Sequence, residues 1–267
     1  MLKKGWLCLS ALPRIFHSRL RSGSRCPSIG LAVSDAWPDR YQFRRLPYDL
    51  ALARAGARVV TLVPSDLTRL DRVLEGIHGL VLAGGEDVHP KHYGKEENSA
   101  GVTNLNRDTF EFTLLDKAAQ ARIPVLCICR GAQLLAVWAA GRLESQDHDA
   151  RRMKYHFSTI RRFAGHHVVM QPGTRLWNIF GDKPVYTNSF HHQRIVDPGR
   201  LRLAAVAGKK DIEGVELSDE RFVVGVQWHP ELQAIFSAAN QRLFHTFVDE
   251  ARKVQSSESR AADKTVF

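Results

Sequence analysis

Cys129 stands where a thiol can act as a nucleophile. It follows the apolar run Pro124–Ile128, which suits a buried strand, and precedes a helix-forming segment that opens at Gly131. A tight strand–turn–helix lifts the side chain into the open at the strand's C-terminal end. The positive end of the following helix then favours thiolate over thiol. A free thiol titrates near ~8.5, so it needs that help at neutral pH. Gly131 lets the helix begin close to a neighbouring strand, and Arg130 offers a backbone N–H beside the sulfur. The competing reading of any single cysteine is a small buried hydrophobe. Cys127, two residues back in the same strand, fits that description and is expected to be inert.

A base and a partner for it lie a hundred residues on. Phe222–Gln227 reads as a strand and runs into Trp228-His229-Pro230-Glu231. Residues i and i+2 of an extended segment face the same way, and Pro230 keeps His229 extended. Glu231 can then accept a hydrogen bond from one ring nitrogen, leaving the other to take the proton of Cys129. The rival histidine pairs, His166-His167 and His191-His192, are not followed by a carboxylate two residues on. A third segment, Gly84-Gly85-Glu86-Asp87, ends another apolar run, and two glycines let backbone N–H groups approach a ligand closely. The amide of Gly85 or Glu86 is expected to join that of Arg130 in an oxyanion hole. Asp87 and His89 lack a third ligand at a metal-binding spacing, so no metal is expected.

These residues need a scaffold that brings strand ends together. Ser28–Val33, Arg58–Val63, Gly79–Ala83 and Pro124–Ile128 are near-continuous apolar runs. They alternate with helical patterns at Tyr41–Ala55, Leu67–Gly76, Asp108–Ala121 and Gly131–Ala140. That order indicates an α/β fold, a mostly parallel sheet with helices on both faces. The second half reads as short strands at Val168–Gln171, Val185–Thr187, Arg202–Ala207, Val215–Leu217 and Phe222–Gln227, forming antiparallel hairpins. A helix over Ala234–Val254 follows, with Arg260–Phe267 expected to fray. The expected division is a basic extension over 1–27, a catalytic domain over 28–254 and a tail over 255–267.

Bulk properties fit an ordinary soluble protein of 267 residues, 44% hydrophobic and 25% charged. No apolar run approaches the roughly 18 residues of a membrane span. The net charge of +10 invites a nucleic-acid reading, but Lys3, Lys4, Arg14, Arg19, Arg21 and Arg25 carry 6 of those charges before the first acid, Asp35. The remainder is a modest excess without an aromatic-interleaved basic stripe, so neither nucleic acid nor membrane is an expected partner. Four cysteines, Cys8, Cys26, Cys127 and Cys129, offer no structural disulfide spacing; a reducing, cytoplasmic setting is expected. The first 25 residues resemble a mitochondrial transit peptide in composition, the plainer alternative being a disordered extension.

Five segments in order, GLVLAGGEDVHPKHYG at 79–94, RDTFEFTLLDKA at 107–118, PVLCICRGAQLLAVWAAGRL at 124–143, NSFHHQRI at 188–195 and GVQWHPE at 225–231, resemble class I glutamine amidotransferase-like hydrolases. Within them the chain is similar to the gamma-glutamyl-gamma-aminobutyrate hydrolase group, peptidase family C26. The resemblance implies a flavodoxin-like fold and a Cys-His-Glu triad at Cys129, His229 and Glu231. It implies an oxyanion hole near Gly85 and Arg130, and His191, His192 and Gln193 match a stretch close to the pocket, either as substrate contacts or as structural residues. Cys127 stands where the family usually has glycine, and Glu144–Phe157 is unusually basic and histidine-rich. The activity implied is hydrolysis of a small gamma-glutamyl amide through a thioester, without a cofactor, in polyamine or amino-acid catabolism. A homodimer is compatible with it. Arg130 and the Asp108–Glu111 region are candidates for holding the glutamyl carboxylate and amine. Two alternatives carry the same residues: a glutaminase subunit delivering ammonia to a separate synthase, and a non-enzymatic binding protein.

Overall fold

The computed structural model describes residues 26–34, 38–96, 100–145, 165–191, 193–208 and 211–264. The basic extension, His192 and most of the basic, histidine-rich segment lie outside the described residues.

In chain order the elements are β1 (Ser28–Ala32), α1 (Pro38–Arg54), β2 (Arg58–Leu62), α2 (Leu70–Leu74), β3 (Gly79–Leu82), α3 (Leu105–Gln120), β4 (Val125–Ile128) and α4 (Arg130–Trp138). Then come β5 (Arg142–Ser145), β6 (Gly165–Met170), α5 (Arg175–Phe180), β7 (Val185–Asn188), β8 (Gln193–Asp197), β9 (Arg202–Ala207), β10 (Asp211–Glu216) and β11 (Val223–Val226). The chain closes with α6 (Pro230–Gln233) and α7 (Ala238–Lys264).

One sheet holds these strands in the order β2-β1-β3-β4-β11-β10-β9-β6-β7, with β8 paired to β10 and β5 to β8. From β2 to β11 every pairing is parallel, and from β11 outward every pairing is antiparallel. The parallel strands are apolar throughout because both faces are covered. Along β4, Leu126 and Ile128 pack with Phe244, Phe247 and Trp228 on the face covered by α1 and α7. Val125 and Cys127 pack with Phe110, Leu114 and Leu135 on the face covered by α3 and α4. The strand period of two thus divides the core into two layers.

Beyond shifted boundaries, such as an α2 of Leu70–Leu74 where Leu67–Gly76 was expected and a β10 of Asp211–Glu216 where Val215–Leu217 was, three differences stand out. β5 and β8 were not expected as strands; RLES and QRIVD are short and mix charge with apolar side chains, and pairing with each other is what makes them strands. The helix expected from Ala234 begins later, at Ala238, after a separate single turn, α6; Ser237 accepts the Asn240 N–H at 3.3 Å as α7 begins. Instead of fraying from Arg260, α7 runs to Lys264, through a stretch rich in the helix formers Ala, Glu and Arg. Among the described residues, no helix is long and apolar enough to cross a membrane.

Candidate active site

β4 and β11 lie side by side and parallel, with Cys127 opposite Gly225 and Ile128 opposite Val226. Their C-terminal ends therefore reach the same edge of the sheet. Cys129 is the first residue past β4, and its N–H donates to the carbonyl of Val226 at 2.8 Å. Its backbone adopts φ 54°, ψ −107°, a conformation costing a non-glycine residue about 1–3 kcal/mol. The carbonyl of Cys129 accepts the first helical bond of α4, from Gln133 N–H at 3.2 Å. Gly131 is required sterically: a Cβ there would run into the carbonyl oxygen of Leu82 in β3. This is the sharp elbow the sequence suggested, but Cys129 is buried rather than in the open, covered by the residues that gather around Gly84. Cys127 is buried within the sheet, and burial pushes its thiol well above the usual range.

His229 follows β11 after Trp228, whose ring is buried against Phe180 and whose indole N–H donates to Asn240 at 3.1 Å. Removing that anchor would cost roughly 3–5 kcal/mol. Asn188, at the end of β7, holds the backbone of His229 from both sides. Its Oδ1 accepts the His229 N–H at 2.8 Å and its Nδ2 donates to the His229 carbonyl at 3.1 Å. The ring Nδ1 of His229 lies 2.6 Å from Oε1 of Glu231, itself buried in α6. The ring side chain is 15% exposed. Burial alone would lower the pKa of His229. The charge on Glu231, then that on Cys129, together with the hydrogen bond to Glu231, raise it well above the ordinary histidine range. Phe190 packs beside the ring at 5.8 Å between centroids.

Gly84 is the meeting point. A Cβ on it would sit 2.7 Å from Cε1 of His229, 3.5 Å from Cβ of Cys129 and 3.5 Å from the hydroxyl of Tyr48. Tyr48, from α1, accepts the Gly84 N–H at 3.1 Å; burial and then the charge of Glu231 hold its phenol well above the usual range. Gly85 has φ 152°, which favours glycine. Glu86 pairs with Arg107 at 2.6 Å; burial would raise its carboxyl, but the guanidinium holds it at about 2.

The remaining expected site residues lie differently. The guanidinium of Arg130 is buried and bonded to Asp108 and Glu111, both fully buried. It turns toward α3, where two carboxylates offset the cost of its burial. Arg130, Asp108 and Glu111 thus serve each other rather than a glutamyl carboxylate or amine. Gln193 is buried: its Oε1 accepts the Val88 N–H at 3.1 Å, and its Nε2 donates to the Val88 carbonyl at 3.1 Å and the Tyr93 hydroxyl at 2.8 Å. Its amide is a clasp on the 88–93 loop. His191 is buried, donating from Nδ1 to the Gln193 carbonyl at 2.8 Å with Nε2 3.9 Å from Glu213. The rival His166 lies 3.1 Å from the same carboxylate, and His167 packs on Tyr186. Among the described residues, no group of three His, Cys, Asp or Glu side chains is arranged to hold a metal.

Tyr48, Asn188 and Arg107 were not singled out from sequence, and Gly84 was named only as one of two glycines in the oxyanion segment. Asn188 and Arg107 open two of the five family-like segments, and Gly84 sits within a third; that was the available signal. Tyr48 had none.

Comparison with known proteins identifies the family. The family model for Peptidase C26 matches residues 31–231. A Schizosaccharomyces pombe protein provisionally named a glutamine amidotransferase is 32% identical over 231 residues, 85% of this chain and 87% of its own length. The gamma-glutamyl-gamma-aminobutyrate hydrolase PuuD of Escherichia coli K12 is 28% identical over 210 residues, 74% of this chain and 82% of its own. In fold, the chain is similar to the crystal structure of a provisionally assigned GMP synthase component from Thermoplasma acidophilum. The TM-score is 0.63 at 18% identity, covering 89% of this chain and 100% of that one. With the matched segment spanning β1 to Glu231 and so carrying Cys129, His229 and Glu231 together, the chain belongs to the Peptidase C26 family of glutamine amidotransferase-like amide hydrolases.

Proposed function

We propose that this protein hydrolyses the γ-amide bond of a small γ-glutamyl amine or amino acid, releasing glutamate, with Cys129, His229 and Glu231 as catalytic triad. The observation that carries the reading is the ring of His229, bonded at 2.6 Å to Glu231 through Nδ1 and brought with Cys129 to the same point beside Gly84. The sulfur attacks the γ-carbonyl carbon, forming a C–S bond and a tetrahedral oxyanion. The amides of Arg130 and Gly85 stabilise that oxyanion. His229 protonates the leaving amine as the C–N bond breaks, giving a thioester. Water, deprotonated by His229, then attacks the thioester; the C–S bond breaks, and glutamate and the free cysteine are restored. Glu231 holds the ring and offsets the positive charge it carries. The γ-glutamyl substrate class is supported by the name of the E. coli hydrolase.

A glutaminase role is the second reading, favoured by the amidotransferase name of the S. pombe relative. One assay addresses both: glutamate release from γ-glutamyl-γ-aminobutyrate, γ-glutamyl polyamines and L-glutamine, with Cys129→Ala as control. Turnover of γ-glutamyl amides well above L-glutamine supports the proposal. Preference for L-glutamine supports the second reading, and equal release by Cys129→Ala would sink both.

A further inference from the structure

Arg107 is fully buried and belongs to no part of the triad. Its Nε donates to Glu111 at 2.7 Å, its Nη1 to Glu86 at 2.6 Å, and its Nη2 to the carbonyls of Ala83 at 3.0 Å and Gly84 at 3.1 Å. The second oxygen of Glu111 accepts from Arg130, and Arg130 also donates to Asp108. Asp108 in turn accepts the backbone N–H of His89 at 3.0 Å. Two guanidinium groups and three carboxylates thus join the 83–89 loop to the first residue of α4.

Stability is a poor account of this network. Taking ions out of water costs several kcal/mol each, and well-packed apolar side chains often serve as well or better. Orientation is a better account. The carbonyl of Gly84 and the N–H of Gly85 belong to one planar trans peptide, so the two point in opposite directions. A guanidinium fixed on the Gly84 oxygen holds the Gly85 N–H pointing away from α3. Without that hold, two consecutive glycines leave the peptide free to rotate. Glu111 then links the loop's orientation to Arg130, whose backbone N–H is the other proposed oxyanion donor.

We infer that Arg107 is a positioning residue: it locks the Gly84–Gly85 peptide, and through Glu111 keeps the two oxyanion donors in register. The inference rests on the triad and oxyanion reading above. The test compares two reactions of Cys129 in the full-length protein. Hydrolysis of γ-glutamyl-γ-aminobutyrate passes through an oxyanion. Alkylation by iodoacetamide forms a C–S bond at saturated carbon, expels iodide and makes no oxyanion. Arg107→Lys keeps the charge but loses the planar fork that spans four acceptors. It should lower kcat about 100-fold, the scale of a misplacement near 1 Å, with KM within about threefold and the alkylation rate within about twofold of wild type. Glu86→Gln, at the partly exposed edge of the network, should fold normally and lower kcat about tenfold with alkylation again unchanged, a fraction of that same scale. Unchanged kcat in both variants, or alkylation slowing in parallel with turnover, would overturn the inference while leaving the triad intact. A wild-type protein with neither turnover nor alkylation would overturn the triad reading, and this inference with it.

Discussion

Gly84→Ala is the sharpest test of whether the site works as described. The added Cβ would lie 2.7 Å from Cε1 of His229, roughly 0.7 Å inside the 3.4 Å at which ordinary contact begins. No other atom comes nearer than 3.5 Å, so the ring must do the yielding. It has little room. Glu231 holds one edge at 2.6 Å, and Asn188 fixes the backbone by two bonds. A shift of that size breaks either the contact with Glu231 or the reach to Cys129. The expected loss in kcat is about 100-fold, the usual consequence of misplacing a reacting group by such a distance. Stability should change by no more than about 1 kcal/mol, since Gly84 lies outside the left-handed region and no backbone atom is struck. Glutamate release and thermal melting measure the two quantities. Gly76→Ala is the control, with nothing within 4 Å of its added Cβ, and should leave both unaltered. A Gly84→Ala enzyme with kcat within twofold of wild type would mean that His229 does not act from where it stands.

Three further outcomes are expected. Cys129→Ala and Cys129→Gly should both abolish turnover, with the glycine variant more stable by about 1 kcal/mol because it alone is free of strain at φ 54°; denaturant titration compares them, and equal stability would argue against stored strain at the elbow. Cys127→Ala should retain most activity, and mass spectrometry after brief native alkylation should find Cys127 unmodified; an inactive variant would contradict the assignment of the nucleophile. Glu231→Gln removes the larger of the two charges that raise His229 against its burial. A histidine raised by folding contributes stability that is complete below its unfolded value near 6.5 and is lost as pH climbs through the folded value. In Glu231→Gln that loss, and the alkaline limb of kcat/KM, should begin at lower pH; a limb that does not move would place the control of His229 elsewhere.

The meeting of Cys129, His229 and Glu231, the proposed nucleophile, base and partner, was readable because each sits near a strand end marked by local chemistry: a cysteine before Arg-Gly, and a histidine held extended by proline two residues from a carboxylate. The parallel half of the sheet was readable for a related reason, since burial on both faces leaves near-continuous apolar runs. What sequence could not give is pairing. Arg130 looked available to a substrate because a charged residue beside a nucleophile carries no mark of whether water or carboxylate surrounds it. Its partners lie 19 and 22 residues away on another helix. Gln193 likewise reads as a pocket residue until its amide is found on Val88, 105 residues earlier. Tyr48 is one of three aromatic residues in α1, and only the packing of that helix brings its hydroxyl to Gly84.

Strand order explains why these segments meet. β3, β4 and β11 are consecutive neighbours, so the strand ends near 83, 129 and 227 line one edge of the sheet, spaced about 4.8 Å apart. Gly84 and His229 start two spacings apart, near 10 Å, with the end of β4 between them. The imidazole nevertheless comes within contact of Gly84. It does so by reaching across the end of β4, where Cys129 has turned into its elbow. The strained backbone of Cys129 and the crossing of His229 are therefore one arrangement. The turn at 129 lifts the thiol to the level at which the ring passes. A relaxed residue there would continue the strand and turn the sulfur into the layer under α3 and α4, where Cys127 shows what becomes of a thiol: packed among apolar side chains, with its pKa pushed upward.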